Sequence, residues 1–351
     1  MTIRVAVWGT GGVGANAIQA IARRSDLELV GVWVHSPHRI GVDAGVLAGI
    51  DPIGLLASGD ADEVLATQPD CICYTASGPE RDAIAVPDYV RFLEAGINVV
   101  TVSSAGLIYP PAYDPAALAQ LEAAAERGGA TLYASGIEPG FAADQFVLTI
   151  LTMSKTIRSV RIQELFCYDG YPVEFMMRDV FGFGKSMDYQ PIMAMPGVQA
   201  GTWAAPVRMI ADAMGAELDM IRETYERELT PRRLEVACGV IEAGTVGAVR
   251  FETIGVIDGR DAIIVEHVNR MAMDLAPHWP NAALDGTYRI VVDGDPEMHC
   301  DFKVGGADSG SEHGMVATTM RLVNAIPAVC AAGPGLVSSL DLPLTLPLDA
   351  F

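Results

Sequence analysis

The chain has 351 residues, half of them hydrophobic, enough for two ordinary cores and too apolar for a disordered polymer. Its 23 Lys and Arg face 44 Asp and Glu, a formal net charge of -21 that repels nucleic acid and anionic membrane over most of the surface. An anionic ligand must therefore be held by local main-chain amides and a few local cations.

Ile3 to Trp8 reads as a strand, followed by Gly9-Thr10-Gly11-Gly12-Val13-Gly14 and the helical spacing of Ile18 and Ile21. Strand, glycine turn and helix start are the context a dinucleotide motif requires. Gly9 permits the tight turn, Gly11 lets the backbone approach a pyrophosphate, and Gly14 lets the helix pack closely on the strand. Thr10, Gly12 and Val13 complete the turn, and the free N–H groups of the helix start face the phosphate charge. The opening run is too short for a secretory core, and no stretch reads as a membrane span, since even the apolar tail is broken by Asp341, Pro343 and Pro347. The six cysteines lack zinc-site or CxxC spacing and read as reduced, with Cys71 and Cys73 as core packing, which sets the expectation of a cytoplasmic protein.

Leu27 to Val34 reads as the second strand and runs into His35-Ser36-Pro37-His38-Arg39. An NAD site commonly ends this strand in an acid that binds the ribose hydroxyls. Here Arg39 can pair with a 2'-phosphate and Ser36 can donate to it, with His35 and His38 alongside. NADP is the expected cofactor and NAD the alternative, with Asp43 as the counterweight because it can turn back toward the ribose.

Helices at Ala61 to Ala66, Pro79 to Leu93 and Asp114 to Arg127 then alternate with strands at Cys71 to Thr75, Asn98 to Val102 and Thr131 to Ser135. This alternation implies a mostly parallel sheet with right-handed crossovers. Strand ends of such a sheet border the cofactor, which makes Thr75, Ala76, Ser77, Ser103 and Ser104 contact candidates.

The pattern changes near Gly136. Phe146 to Met153 reads as a buried helix, Val160 to Cys167 as a strand, and a helix is expected around Gln199 to Met214. Further strands are expected at Leu234 to Ala243, Thr245 to Ile257, Asp261 to Arg270 and Gly286 to Val292. Met315 to Cys330 has a helical period interrupted at Pro327 and is expected to return to the first domain, leaving a cleft. The expected fold is α/β, with an N-terminal Rossmann domain over 1–145 and a C-terminal α+β domain with an extended mixed or antiparallel sheet over 146–310. A helix and tail over 311–351 complete it.

Three residues are the catalytic candidates. Glu138 stands in a loop constrained by Gly136 and Pro139-Gly140, where a carboxylate can bind an amine or move a proton, or else accept backbone hydrogen bonds and fix a hinge. Tyr168, with Tyr171 and Phe175, suits an apolar pocket with one inward hydroxyl, which Phe181, Met187, Trp203, His278 and Trp279 can extend. His267 can orient a substrate or sit in the sheet; Glu266 beside it must face the opposite side. Asp144 reads as a helix-start or junction residue, and His313 as a further candidate near the junction. The six histidines are dispersed and form no metal motif.

Several segments carry a family resemblance: Val5-Ala6-Val7-Trp8-Gly9-Thr10-Gly11-Gly12-Val13-Gly14, Gly41-Val42-Asp43-Ala44-Gly45, Gly136-Ile137-Glu138-Pro139-Gly140-Phe141, Phe181-Gly182-Phe183-Gly184-Lys185, Glu266-His267-Val268-Asn269-Arg270 and Ala276-Pro277-His278-Trp279-Pro280. The chain resembles the dihydrodipicolinate reductase-like proteins, and more closely their branch of 2,4-diaminopentanoate dehydrogenase and native amine dehydrogenases. The resemblance implies an N-terminal dinucleotide domain, a substrate-binding and dimerising C-terminal domain, hence a homodimer, and reversible chemistry on an amine or carbonyl compound; with the expected NADP, the substrate is a small amine, imine or carbonyl compound. Two departures stand out. The paired histidines and lysine of the true reductase have no match, and Ser103-Ser104 stands where the amine branch carries its catalytic glutamate. A carbonyl or imine reductase that does not incorporate ammonia is therefore the alternative enzyme, and a noncatalytic dinucleotide-binding regulatory protein the alternative class.

Overall fold

The computed structural model describes residues 2–76, 79–306 and 311–351, with backbone alone at 79–83, 311 and 312. Val5, Ala6 and Val7 of β1 (Ile3–Trp8) are fully buried, the continuous apolar run of a strand covered on both faces. α1 (Gly12–Arg23) turns Ala17, Ile18 and Ile21 inward at helical spacing, and β2 (Leu27–Trp33) pairs with β1 in parallel. Two short helices, α2 (Ala44–Leu47) and α3 (Ala61–Leu65), begin on Asp43 and Asp60, whose side chains accept hydrogen bonds from first-turn N–H groups. β3 (Cys71–Tyr74), α4 (Pro79–Glu94), β4 (Asn98–Thr101), α5 (Pro115–Gly128) and β5 (Thr131–Ala134) continue the alternation.

A π-helical turn at Ala142–Phe146 leads into α6 (Val147–Leu151). β6 (Thr156–Cys167), α7 (Val198–Ala213) and β7 (Met220–Leu229) follow, then a small hairpin of β8 (Leu234–Val236) and β9 (Gly239–Ile241). The single strand expected over Leu234 to Ala243 is thus two, because the chain reverses at Ala237 and Cys238 and Gly239 takes a φ of 105°. β10 (Val246–Ile257), β11 (Arg260–Arg270), β12 (Thr287–Asp295) and β13 (Met298–Lys303) complete this region. α8 (Ser311–Val323), α9 (Ile326–Ala331) and β14 (Gly335–Val337) end the ordered elements.

The chain divides into two compact units, one formed by Met1–Gly140 with Met315–Phe351, the other by Phe141–Gly314. The first holds a six-stranded, all-parallel sheet in the order β14-β5-β4-β3-β1-β2. The second holds a six-stranded mixed sheet in the order β13-β12-β6-β11-β10-β7, parallel only between β6 and β11. This is the α/β architecture read from the sequence. α7 packs its Trp203, Val207 and Ile210 on one face of the mixed sheet, against Phe251 and the apolar side chains of β10 and β11.

One stretch corrects the sequence reading. His313–Ala331, 19 residues at a mean hydropathy of 1.3, is long and apolar enough to cross a membrane by length and composition. In this fold it is broken into α8 and α9, and Leu322, Val323, Ala325, Ile326 and Val329 are fully buried in the core that also contains Val5, Val7 and Cys71. Of its most apolar window, 33% is buried. Cys71 and Cys73 are buried and free, and burial pushes the Cys73 thiol up to about 12.

The last residue of α5 lies so close to α4 that a Cβ on Gly128 would overlap the carbonyl oxygen of Leu93. Backbone cannot yield as a flexible side chain does. Gly128→Ala is expected to lose about 1–3 kcal/mol of stability, read as a lowered midpoint in urea unfolding; an unchanged midpoint would mean that the two helices are not in this contact.

Candidate active site

The glycine turn is built by close approach. Gly9 takes a φ of 101°, and a Cβ on it would come within 2.9 Å of the Ala76 nitrogen. A Cβ on Gly14 would overlap the Gly9 carbonyl oxygen and lie 2.7 Å from Thr75 Oγ1. The Thr75 hydroxyl fastens this corner by donating to the carbonyls of Trp8 and Gly9 at 3.2 and 3.0 Å. Gly11, by contrast, has open space where its Cβ would be, and no side chain caps the helix start that it forms. The first N–H groups of α1 therefore point away from the core with the positive end of the helix dipole behind them. α8 backs the turn from within the same unit, with Met315 against Gly12 and the Thr319 hydroxyl donating to the Val13 carbonyl at 3.2 Å.

A cavity of about 230 Å³ opens beside the turn, lined by Gly9, Thr10, Gly11, Trp33, His35, Ser36, Arg39, Thr75 and Ala76. Trp33 stacks on Trp8 at 4.8 Å, which holds the indole as a fixed wall. Arg39 stands on a short 3-10 turn, Pro37–Arg39, and donates to the Thr10 carbonyl at 2.6 Å and to Thr10 Oγ1 at 2.9 Å. Both bonds use one guanidinium nitrogen, so the anchored side chain keeps further donors at the cavity. His38 is exposed and does not line it.

Asp43 does not turn back toward a ribose. Its carboxylate accepts from the N–H groups of Gly45 (2.8 Å), Val46 (3.4 Å), Ile53 (3.0 Å) and Gly54 (2.7 Å). Desolvation raises its pKa, and the four amides outweigh that, leaving it below the ordinary carboxylate range. Ser103 is buried, and its hydroxyl donates to the Ala76 carbonyl at 2.7 Å, tying the end of β4 to the end of β3. Ser104 is left-handed at φ 59°. Ser77 lies outside the described residues.

Glu138 is half-buried in the loop after β5, with one carboxylate oxygen fully enclosed. Gly136 and Gly140 cross so closely that neither accommodates a side chain, and the Ile137 N–H donates to Thr318 Oγ1 of α8 at 3.2 Å. The loop is fixed from both sides. Asp144 is buried in the π-helical turn of the second unit.

In the second unit Tyr168 closes β6. Its hydroxyl donates to Glu164 Oε1 at 2.8 Å, and the Asn269 side-chain amide donates to the same oxygen at 3.2 Å. Burial raises the Glu164 carboxyl to about 7 against the lowering effect of those two donors. Sequence reading missed Glu164. The signal was there: a carboxylate in register with Ile162 and Phe166 in an apolar alternation, four residues before a tyrosine. Tyr171 and Phe181 flank the Tyr168 ring at 5.7 and 6.1 Å, and Trp279 is buried, whereas Phe175 and Met187 are exposed. His278 is exposed and 2.9 Å from Glu228, and His313 is exposed.

Glu266 and His267 face opposite sides of the sheet, as alternation requires. Glu266 is fully buried between Arg161 (2.5 Å), Arg250 (2.7 Å) and the Gln163 amide (2.7 Å). Burial alone would raise its pKa; Arg161, Gln163 and Arg250 together hold it below the usual range. His267 is buried in the core, stacked on Phe251 at 4.5 Å and beside Trp203 at 4.6 Å, where burial pushes it down to about 3 and keeps it neutral. The ring is thus packed among aromatic side chains. Among the described residues no cluster of His, Cys, Asp and Glu is arranged to hold a metal ion.

Comparison with known proteins gives two family matches: the 2,4-diaminopentanoate dehydrogenase C-terminal domain over residues 141–350 and the dihydrodipicolinate reductase N-terminus over residues 3–77. An amine dehydrogenase of Streptomyces virginiae is 38% identical over 97% of this chain and 96% of its own. A 2,4-diaminopentanoate dehydrogenase of Acetoanaerobium sticklandii is 23% identical over 97% of this chain and 94% of its own. The solved structure of an amine dehydrogenase from Mycobacterium smegmatis shares the fold, with a TM-score of 0.79 at 22% identity, covering 100% of this chain and 99% of that one.

The buried imidazole makes folding pH-dependent. An unfolded histidine titrates near 6.5 and the folded one only near 3, so below pH 6.5 the unfolded chain binds a proton that the folded chain refuses. His267 is expected to cost about 1.4 kcal/mol of stability per pH unit between those limits. Urea unfolding at pH 6, 5 and 4 should show wild type losing stability relative to His267→Leu by about that slope; parallel curves would mean that the ring is not held neutral.

Proposed function

The chain belongs to the dihydrodipicolinate reductase-like oxidoreductases, in the branch of the 2,4-diaminopentanoate and amine dehydrogenases, and from that premise we propose an NADP-dependent dehydrogenase that interconverts a small amine with its imine or ketone. The observation that carries this reading is the glycine turn with its cavity. Gly9 and Gly14 occupy places that no side chain fits, and the open N–H groups after Gly11 suit a pyrophosphate.

NADP is favoured over NAD by the cavity wall. Among the described residues that line it none is a carboxylate, Asp43 is occupied by four backbone amides, and Arg39 is anchored on Thr10 with donors to spare. Arg39 would hold the 2'-phosphate, with Ser36 as a second donor. Bound NADP supplies a hydride acceptor or donor at its nicotinamide ring. Glu138 is assigned to the substrate nitrogen, because a rigid, half-buried carboxylate attracts an ammonium or iminium group and can exchange a proton with it. A neutral or cationic substrate also suits a chain of net charge -21.

The alternative of a carbonyl or imine reductase draws support from Ser103, whose hydroxyl is committed to the Ala76 carbonyl at a strand end without a carboxylate. Product analysis on a ketone with and without ammonia separates the two readings. The homodimer and the cytoplasmic location remain part of the proposal, the first on the family and the extended second-unit sheet, the second on six free cysteines.

Two measurements test the assignments. Arg39→Ala is expected to weaken NADPH binding about ten- to hundredfold while leaving NADH nearly unchanged; an unaltered affinity ratio would remove the phosphate contact. Glu138→Gln is expected to lower amine oxidation about a hundredfold or more with the fold intact. Retention of wild-type turnover and pH dependence would return Glu138 to a purely architectural role.

A further inference from the structure

We infer that Thr10 is a positioning residue for the cofactor's 2'-phosphate: its carbonyl and hydroxyl hold the Arg39 guanidinium at the cavity wall without cancelling its charge, and so set the preference for NADP over NAD. The inference rests on the NADP reading and deepens it, and every residue it uses belongs to the first unit.

The first observation is the kind of anchor. Arg4, Arg24, Arg91 and Arg127 of the same unit each pair with a carboxylate, Glu28, Asp26, Asp62 and Glu94 in turn. An arginine held that way is oriented, but its charge is already answered. Among the described residues no carboxylate pairs with Arg39, whose side chain donates instead to the Thr10 carbonyl at 2.6 Å and to Thr10 Oγ1 at 2.9 Å. Both acceptors are neutral. Both bonds use Nη1, which leaves the Nη2 and Nε donors and the whole positive charge for an anion in the cavity that Thr10 and Arg39 line together.

The second observation is that both ends of the anchor are fixed before any ligand arrives. The Gly9 N–H donates to the Trp33 carbonyl at 3.0 Å, which ties the glycine turn to the end of β2. Thr10 itself is buried, and its β-branched side chain has few rotamers. On the other side the Arg39 N–H donates to the Ser36 carbonyl at 2.9 Å within the turn that Pro37 begins. A free arginine loses rotamer freedom when it closes on a phosphate. Here the fold has already ordered the side chain, so less of the attraction is spent on ordering it.

The discrimination follows from what the two cofactors present. NADP offers an anionic phosphate at the ribose 2' position and NAD a neutral hydroxyl. A pre-set, uncancelled guanidinium makes charge-assisted bonds with the first and at most an ordinary bond with the second. Valine at position 10 would keep the shape of threonine and lose the side-chain acceptor, whereas serine would keep the acceptor.

The test uses binding alone, so it needs no turnover substrate. Calorimetric titration of the purified chain with NADPH and with NADH gives the ratio of the two dissociation constants for each variant at one salt concentration. Thr10→Val is expected to reduce the preference for NADPH about three- to tenfold, and Thr10→Ser to hold it within about twofold of wild type. In an Arg39→Ala background, Thr10→Val is expected to change the ratio by less than about twofold, because no guanidinium is left to position. Circular dichroism monitors the fold, and Thr10→Ala reads the same prediction if valine disturbs the turn. Equal loss of both cofactors in Thr10→Val, or the same further fall in the Arg39→Ala background, would overturn the inference while leaving the NADP reading in place. An Arg39→Ala ratio equal to that of wild type is the separate failure, since it would remove the phosphate contact itself.

Discussion

The first unit depends on how closely one helix can approach one strand. Gly14 meets the Gly9 carbonyl where no Cβ fits, and Gly9 itself has Ala76 against it. That approach brings the ends of β1 and β3 together, where the Thr75 hydroxyl bonds to the Trp8 and Gly9 carbonyls. It leaves the next N–H groups of α1 without a side-chain cap and facing outward. An anion site is the natural consequence, because main-chain donors and the helix dipole supply local positive potential in an acidic chain. The cavity, the anchored Arg39 and the stacked Trp33 are all arranged around that corner.

The central strands were legible in the sequence, and several edges were not. β1, β3, β4 and β5 are apolar runs because neighbours and helices cover them, β6, β10 and β11 carry long buried stretches for the same reason, and β12 alternates buried with half-buried residues. The strands absent from the sequence reading, β7, β13 and β14, are all at sheet edges. β7 reads Met-Ile-Arg-Glu-Thr-Tyr-Glu-Arg-Glu-Leu, in which charges and half-exposed side chains dilute any alternation. Such composition discourages unwanted pairing with other chains, and it also hides the strand from pattern reading. The 19-residue apolar run at His313–Ala331 illustrates the converse, since its composition alone does not separate a core helix pair from a membrane span.

At the candidate site, residue types were legible and partners were not. The glycine motif specifies its own geometry. Asp43 looked available to a ribose because four amides from two separate segments, Gly45 with Val46 and Ile53 with Gly54, converge on it only in three dimensions. His267 and Glu266 are adjacent in sequence and opposite in environment, one stacked among aromatic rings and neutral, the other held ionised between arginines. Glu164 escaped notice because its partner Asn269 is contributed by a strand about a hundred residues away, beyond any local motif.

The crystal structure of the chain grown with NADPH tests the central claim most directly. The pyrophosphate is expected against the main-chain N–H groups that follow Gly11, with the adenosine 2'-phosphate on the Arg39 guanidinium. A dinucleotide bound elsewhere, or no dinucleotide at saturating concentration, would contradict the assignment of this corner as the cofactor cradle.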